Sequence, residues 1–269
     1  MTVIATLITK YGTVHASDSR RMSTNDRRIV GNDEETKIVP VPKFRGALSF
    51  YGLAEYRNFK TLDWLRNQVS QSKHSSPEEF AIHIKDGLKT KFSNLRFTNP
   101  MDQGIGIHFS AYERINDYWI PELFHISNFS NPNYSSLKTD GITASRETFG
   151  TMKNQASQLL PSPGNNDQRL EVHKFLHNDG MLIYNNGDPI LFNSIANSIM
   201  DSFRELRKRN ALKNLEDERL QCDMVRRPVE IVSRILTDFA KEEFRLVGGR
   251  SHDYLIHQDG RIFSTTRDA

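Results

Sequence analysis

The stretch MTVIATLITKYGTVHASDSRR, residues 1–21, decides how the chain is read. Apolar and polar residues alternate through 3–9 and 13–16 on either side of Tyr11-Gly12, the pattern of two short paired strands. A polar knot, Ser17-Asp18-Ser19-Arg20, follows the second strand. The second residue is Thr2. Once Met1 is removed, it carries a hydroxyl and a free α-amine on one residue, a nucleophile with its own base attached.

Outward from this hairpin, residues 22–35 read as a polar loop. Residues 36–41 and 46–52 are again strand-like, with β-branched or aromatic residues bounded by turn formers. The period then changes: Phe59, Leu62, Leu65 and Val69 recur at helical spacing. A second helix opens at Ser76-Pro77-Glu78-Glu79, with a serine cap, proline in the first turn and acids near the positive end. It turns Phe80, Ile84 and Leu88 inward.

A second block of strands covers 105–109, 118–120 and 123–126, with a further short strand at 146–149 and a loop at 161–166. Two more helices follow. One carries Phe192, Ile195, Ile199, Phe203 and Leu206; the other begins at Pro228 and carries Val232, Ile235, Leu236 and Phe239. The charged segment 207–227 between them reads as a solvated loop or an interaction surface. A final hairpin pairs 254–256 with 261–263 around Asp259-Gly260. Strands and helices come in groups, which disfavours a doubly wound parallel sheet. The expectation is an α+β fold: a four-layer αββα sandwich, two sheets face to face with a helix pair outside each.

Composition bounds the rest. The chain has 269 residues, 37% of them hydrophobic, with no long Pro/Gly-rich linker and no repeat, so one domain spanning 1–269 is expected. The net charge of +3 is small, and the basic clusters are interleaved with acids, which argues against nucleic acid as a partner. The single cysteine, Cys222, excludes an intramolecular disulfide and any cysteine-rich metal site. His173 and His177 are spaced i, i+4 and His252 and His257 flank a strand, but no pair joins a carboxylate in a zinc pattern. No metal and no cofactor is expected. No apolar run reaches the roughly 20 residues that span a membrane, and no signal segment precedes the first strand, so a cytoplasmic protein is expected.

An N-terminal threonine needs its amine as base, a cation that lowers the amine's proton affinity, a carboxylate that holds the cation, and N–H groups for the oxyanion. Asp18, Lys37 and Gly52 are candidates for the last three parts. Here the sequence resembles the proteasome β-type subunits, which are N-terminal nucleophile (Ntn) hydrolases. The resemblance rests on Thr2-Val3-Ile4, Ala16-Ser17-Asp18-Ser19-Arg20, Lys37-Ile38 and Phe50-Tyr51-Gly52-Leu53-Ala54-Glu55, with Leu246-Val247-Gly248-Gly249 and Asp259-Gly260 near the end. It covers roughly the first fifth and last tenth of the chain.

This resemblance implies that Thr2 is the nucleophile, that Asp18 orients Lys37, that Lys37 tunes the Thr2 amine and that the Gly52 N–H meets the oxyanion. It further implies that Thr151 bonds the terminal amine and that Arg21, Glu35, Phe50 and Ala54 face the first specificity pocket. The implied activity is a threonine peptidase acting on peptides or unfolded polypeptides. Two alternatives stand beside it: an Ntn amidase for a small non-peptide amide, and a non-catalytic subunit that builds a ring or scaffold. Phe244 and Val247, where many active subunits carry aspartate and serine, favour the non-catalytic alternative. A ring-forming homo-oligomer is implied, and an ATPase partner is admitted.

Overall fold

The structure is a computed structural model that describes residues 3–19, 36–130, 136–146, 166–178, 180–186, 189–209, 211, 216–239 and 249–265. The opening hairpin pairs β1 (Ile4–Ile8) with β2 (Gly12–Asp18). On its two sides lie β10 (Leu182–Asn186) and β11 (Ser251–His257), and β12 (Ile262–Phe263) closes the far edge. This five-stranded sheet has the order β10-β1-β2-β11-β12, and its pairings are antiparallel. A second five-stranded antiparallel sheet joins β3 (Ile38–Val41), β4 (Gly46–Gly52), β7 (Ile105–Ile115), β8 (Tyr118–Ser127) and β9 (Thr143–Arg146) in that order. A small hairpin, β5 (Glu55–Tyr56) with β6 (Phe59–Lys60), leads into the first helix.

Each sheet buries one face under helices. On the second sheet, α1 (Thr61–Ser70) and α2 (Pro77–Asn94) bring Leu62, Leu65, Phe80, Ile84 and Leu88 onto Leu48, Phe50, Ile107, Phe109 and Phe124. The α2 start is as its sequence suggests: the Glu79 N–H donates to Ser76 Oγ at 3.2 Å. On the first sheet, α4 (Pro189–Lys208) and α5 (Glu218–Asp238) supply Phe192, Met200, Val225, Val229 and Val232 to a core with Val3, Ala5, Leu7, Val14, Ala16 and Leu255.

The opposite faces of the same strands are polar, and they face each other. Thr6, Thr13 and His15 on the first sheet meet Ser49, His108 and Ser110 on the second, all buried. His15 shares hydrogen bonds with Ser49 Oγ through Nδ1 (2.8 Å) and with Ser110 Oγ through Nε2 (2.7 Å). Asn186 Oδ1 accepts from His108 Nε2, so His108 Nδ1 is the acceptor for the Thr6 hydroxyl at 3.1 Å. His125 uses both nitrogens on tyrosines, Nε2 with Tyr51 (2.8 Å) and Nδ1 with Tyr184 (3.1 Å). Neutral rings fit these partners.

The expected four-layer αββα sandwich is corrected to two large antiparallel sheets with five helices and an accessory hairpin. Helix α3 (Asn166–His177) has no place in a scheme of one helix pair per sheet. Its Val172 and Leu176 pack with Ile8 of the first sheet and Leu123 of the second. Arg169 anchors it by donating from Nε to Glu122 Oε1 of β8 at 2.6 Å, and Glu122 is shared with Arg146 of β9. The grouped element order also fails, because β10 stands between α3 and α4. Helix α5 begins ten residues before Pro228, capped by Asp217, whose carboxylate accepts the N–H groups of Arg219 (2.9 Å) and Leu220 (3.3 Å). Residues 218–227 of the charged 207–227 segment are therefore helix.

Burial holds the three seam histidines below their ordinary range. His15 is lowered to about 3 by burial and by His108; His108 is lowered to about 4 by burial; and His125 lies well below 6.5 through burial, His108 and Lys138. An unfolded chain binds protons at these rings near pH 6.5 while the folded chain does not, so stability is full above that pH and falls as the pH drops toward 4. Each ring contributes a slope of up to about 1.4 kcal/mol per pH unit. Urea midpoints measured between pH 7.5 and 5 are expected to fall, less steeply in His108→Gln. A midpoint unchanged over that range contradicts the neutral seam.

Candidate active site

The ends of neighbouring strands bring two of the sequence-derived candidates, Asp18 and Lys37, together. Asp18 is the last residue of β2, and Lys37 immediately precedes β3. Lys37 Nζ donates to Asp18 Oδ1 at 3.3 Å, with the side chains 4% and 1% exposed. The same oxygen accepts the Val3 N–H at 3.0 Å, while the Asp18 N–H returns to Val3 O at 3.2 Å. The Val3 N–H belongs to the peptide bond that joins Thr2 to Val3. One carboxylate oxygen thus holds both a buried ammonium and the backbone next to Thr2.

Local folding explains the placement. The register sets Ile38 opposite Ser49, and the Phe50 N–H donates to Lys37 O at 3.2 Å, so Lys37 extends β3 beside the end of β4. Gly52 terminates β4 two residues further on and is exposed. Its φ of +85° and the Gly104 carbonyl, 2.3 Å from where a Cβ would stand, restrict the position to glycine. Backbone without a side chain at the open end of a strand lets a ligand approach closely. On the other side of Asp18, Ser251 pairs with it across β11, and Ser19 Oγ accepts the Arg250 N–H at 2.8 Å.

Of the other sequence-derived positions, Phe50 is 3% exposed within the core between the second sheet and its helices. Ala54 is half-buried and packs against that core. Thr2, Arg21, Glu35 and Thr151 lie outside the described residues. The sequence reading did not find the Val3 amide or Ser19. The Ser17-Asp18-Ser19 knot marked the region, but a backbone N–H leaves no trace in residue types. Among the described residues no cluster of three or more His, Cys, Asp or Glu is arranged for a metal. No helix among them is long and apolar enough to cross a membrane. The arrangement offers a fixed positive charge in a dry setting, suited to stabilising an anion or disfavouring protonation of a nearby amine.

No family model matches the chain, and no curated protein matches it. A solved structure described as an Anbu (Gly-1) mutant from Hyphomicrobium sp. strain MC1 is similar, with a TM-score of 0.52 and 14% identity over 100% of this chain and 89% of that one. At that identity the likeness speaks for the fold alone. Membership of the proteasome β-type family, which the motif resemblance implied, is therefore corrected. The motifs cover a small part of the chain, and no match at family level accompanies them.

A buried ion pair is costly to break from one side, because the partner keeps a desolvated charge. Lys37→Met is expected to destabilise the fold by about 3–5 kcal/mol. The double variant Asp18→Asn/Lys37→Met is expected to cost clearly less than the two single changes summed. Urea unfolding of the four proteins checks this; additive costs contradict the pairing.

Proposed function

We propose that this chain is an amide hydrolase of the threonine-peptidase type, with the hydroxyl of Thr2 as nucleophile after removal of Met1. The observation that carries this reading is the single Asp18 oxygen shared by Lys37 Nζ and the Val3 N–H, which ties the backbone beside Thr2 to a buried cation. The fold-level likeness to Anbu supports it. Peptides or unfolded polypeptides are the proposed substrates and a homo-oligomer the proposed assembly.

The chemistry follows from these groups. Thr2 Oγ attacks the substrate carbonyl carbon while its proton passes to the Thr2 α-amine. Lys37, held by Asp18, keeps that amine short of permanent protonation by like-charge repulsion. The Gly52 N–H stabilises the oxyanion of the tetrahedral intermediate. Collapse breaks the C–N bond, the α-ammonium proton leaves with the amine product, and an ester remains on Thr2 Oγ. Water then adds to the ester, giving up a proton to the α-amine, and the acid product departs with Thr2 Oγ reprotonated.

Intact-mass measurement of the protein purified from cells, before and after exposure to a β-lactone, tests the proposal. Loss of Met1 and one covalent adduct are expected, with no adduct in Thr2→Ala and formation slowed roughly 10²-fold or more in Lys37→Ala. Retained Met1, or a free Thr2 inert to the reagent, overturns the proposal in favour of a non-catalytic assembly subunit.

A further inference from the structure

Outside the proposed active site, α3 carries two histidines one helical turn apart. The rings of His173 and His177 stand with centroids 4.0 Å apart and planes inclined by 35°. The ring of Tyr118, at the start of β8, lies 4.6 Å from that of His173 and limits its orientation. Both imidazoles make ring contacts, and among the described residues neither makes a hydrogen bond, so their nitrogen lone pairs are uncommitted. The nearest acidic neighbour on the helix, Glu171, is engaged by Lys174 at 2.7 Å.

We infer that His173 and His177 form a two-imidazole chelate for a divalent first-row transition ion on α3. Side chains at i and i+4 share a helix face, which places both imidazoles within reach of one ion. Imidazole donors suit Cu²⁺ and Zn²⁺, with Cu²⁺ the tighter, whereas Mg²⁺ and Ca²⁺ require oxygen donors. Water completes the coordination. The other close histidine pair, His74 and His83 with centroids 4.5 Å apart, is less suited, because His83 Nε2 is hydrogen-bonded to Gln68 Oε1 at 2.8 Å.

A metal bound across the last turn of α3 would also fasten the segment that Arg169 anchors to β8, so binding to the folded chain raises its melting temperature. The test is calorimetric titration of the full chain with CuSO₄ or ZnCl₂ alone, with paramagnetic resonance of the copper sample to count nitrogen donors. One equivalent of Cu²⁺ with two nitrogen donors is expected, bound more tightly than Zn²⁺, with no heat from Mg²⁺. His173→Ala and His177→Ala are each expected to weaken binding by about tenfold or more, through loss of the chelate. His74→Ala is expected to leave it unchanged. All variants are compared by circular dichroism to establish that the helix persists. Absence of binding, a single nitrogen donor, or affinity unchanged in either α3 variant overturns the inference.

Discussion

Both faces of the central strands are buried, so the polar side chains between the sheets have no bulk water to bind. Each buried donor or acceptor left without a partner costs about 1–3 kcal/mol, which makes mutual satisfaction the governing constraint on how the sheets meet. His15 ties β2 to β4 and β7 through two serines. His108 ties β1, β7 and β10 together through Thr6 and Asn186. His125 reaches Tyr51 of β4 and Tyr184 of β10. A slip of one residue in any of these strands turns its polar set onto the helix-facing core, so the seam fixes register as well as distance.

Asp18 and Lys37 carry the same constraint to the open end of the strands, where neutral partners give way to full charges. A buried ion pair is a poor source of stability, since desolvation offsets most of its attraction. Its burial beside the Val3 N–H, with an exposed glycine ending the adjacent strand, fits the proposed chemistry. Rigidity supports this. Asp18 accepts a backbone amide as well as the ammonium, and β11 is fastened alongside through Ser19 and Arg250. A charge held so firmly needs no reorganisation when a reaction develops charge nearby.

Much of this was legible in the sequence, for physical reasons that also mark where legibility ends. The alternation in residues 3–16 and the Ser76-Pro77-Glu78-Glu79 cap state their structures locally, and β1, β2 and α2 follow them. Helix α3 is mostly polar, with a short apolar stripe, and only its contacts with two sheets make it a helix worth forming. Pro228 read as a helix start because proline favours the first turn, yet it sits buried in the interior of α5. The charged residues before it are helical because they pair among themselves: Arg226 with Asp223 and Glu230 along α5, and with Asp253 of β11. The pairing of Asp18 with Lys37 followed from the motif resemblance. The seam histidines did not, because an alternating strand gives no sign of whether its polar face meets water or another sheet.

The proposed activity requires Thr2 to present its hydroxyl and amine together beside Asp18 and Lys37. A crystal structure of the chain after reaction with a peptide epoxyketone tests it most directly, since only a residue with both groups closes a ring with that reagent. The account predicts continuous density from both Thr2 Oγ and the Thr2 nitrogen, with the former ketone oxygen of the reagent within about 3 Å of the Gly52 N–H. Density attached elsewhere, or a Thr2 hydroxyl directed away from the Asp18–Lys37 pair, contradicts it.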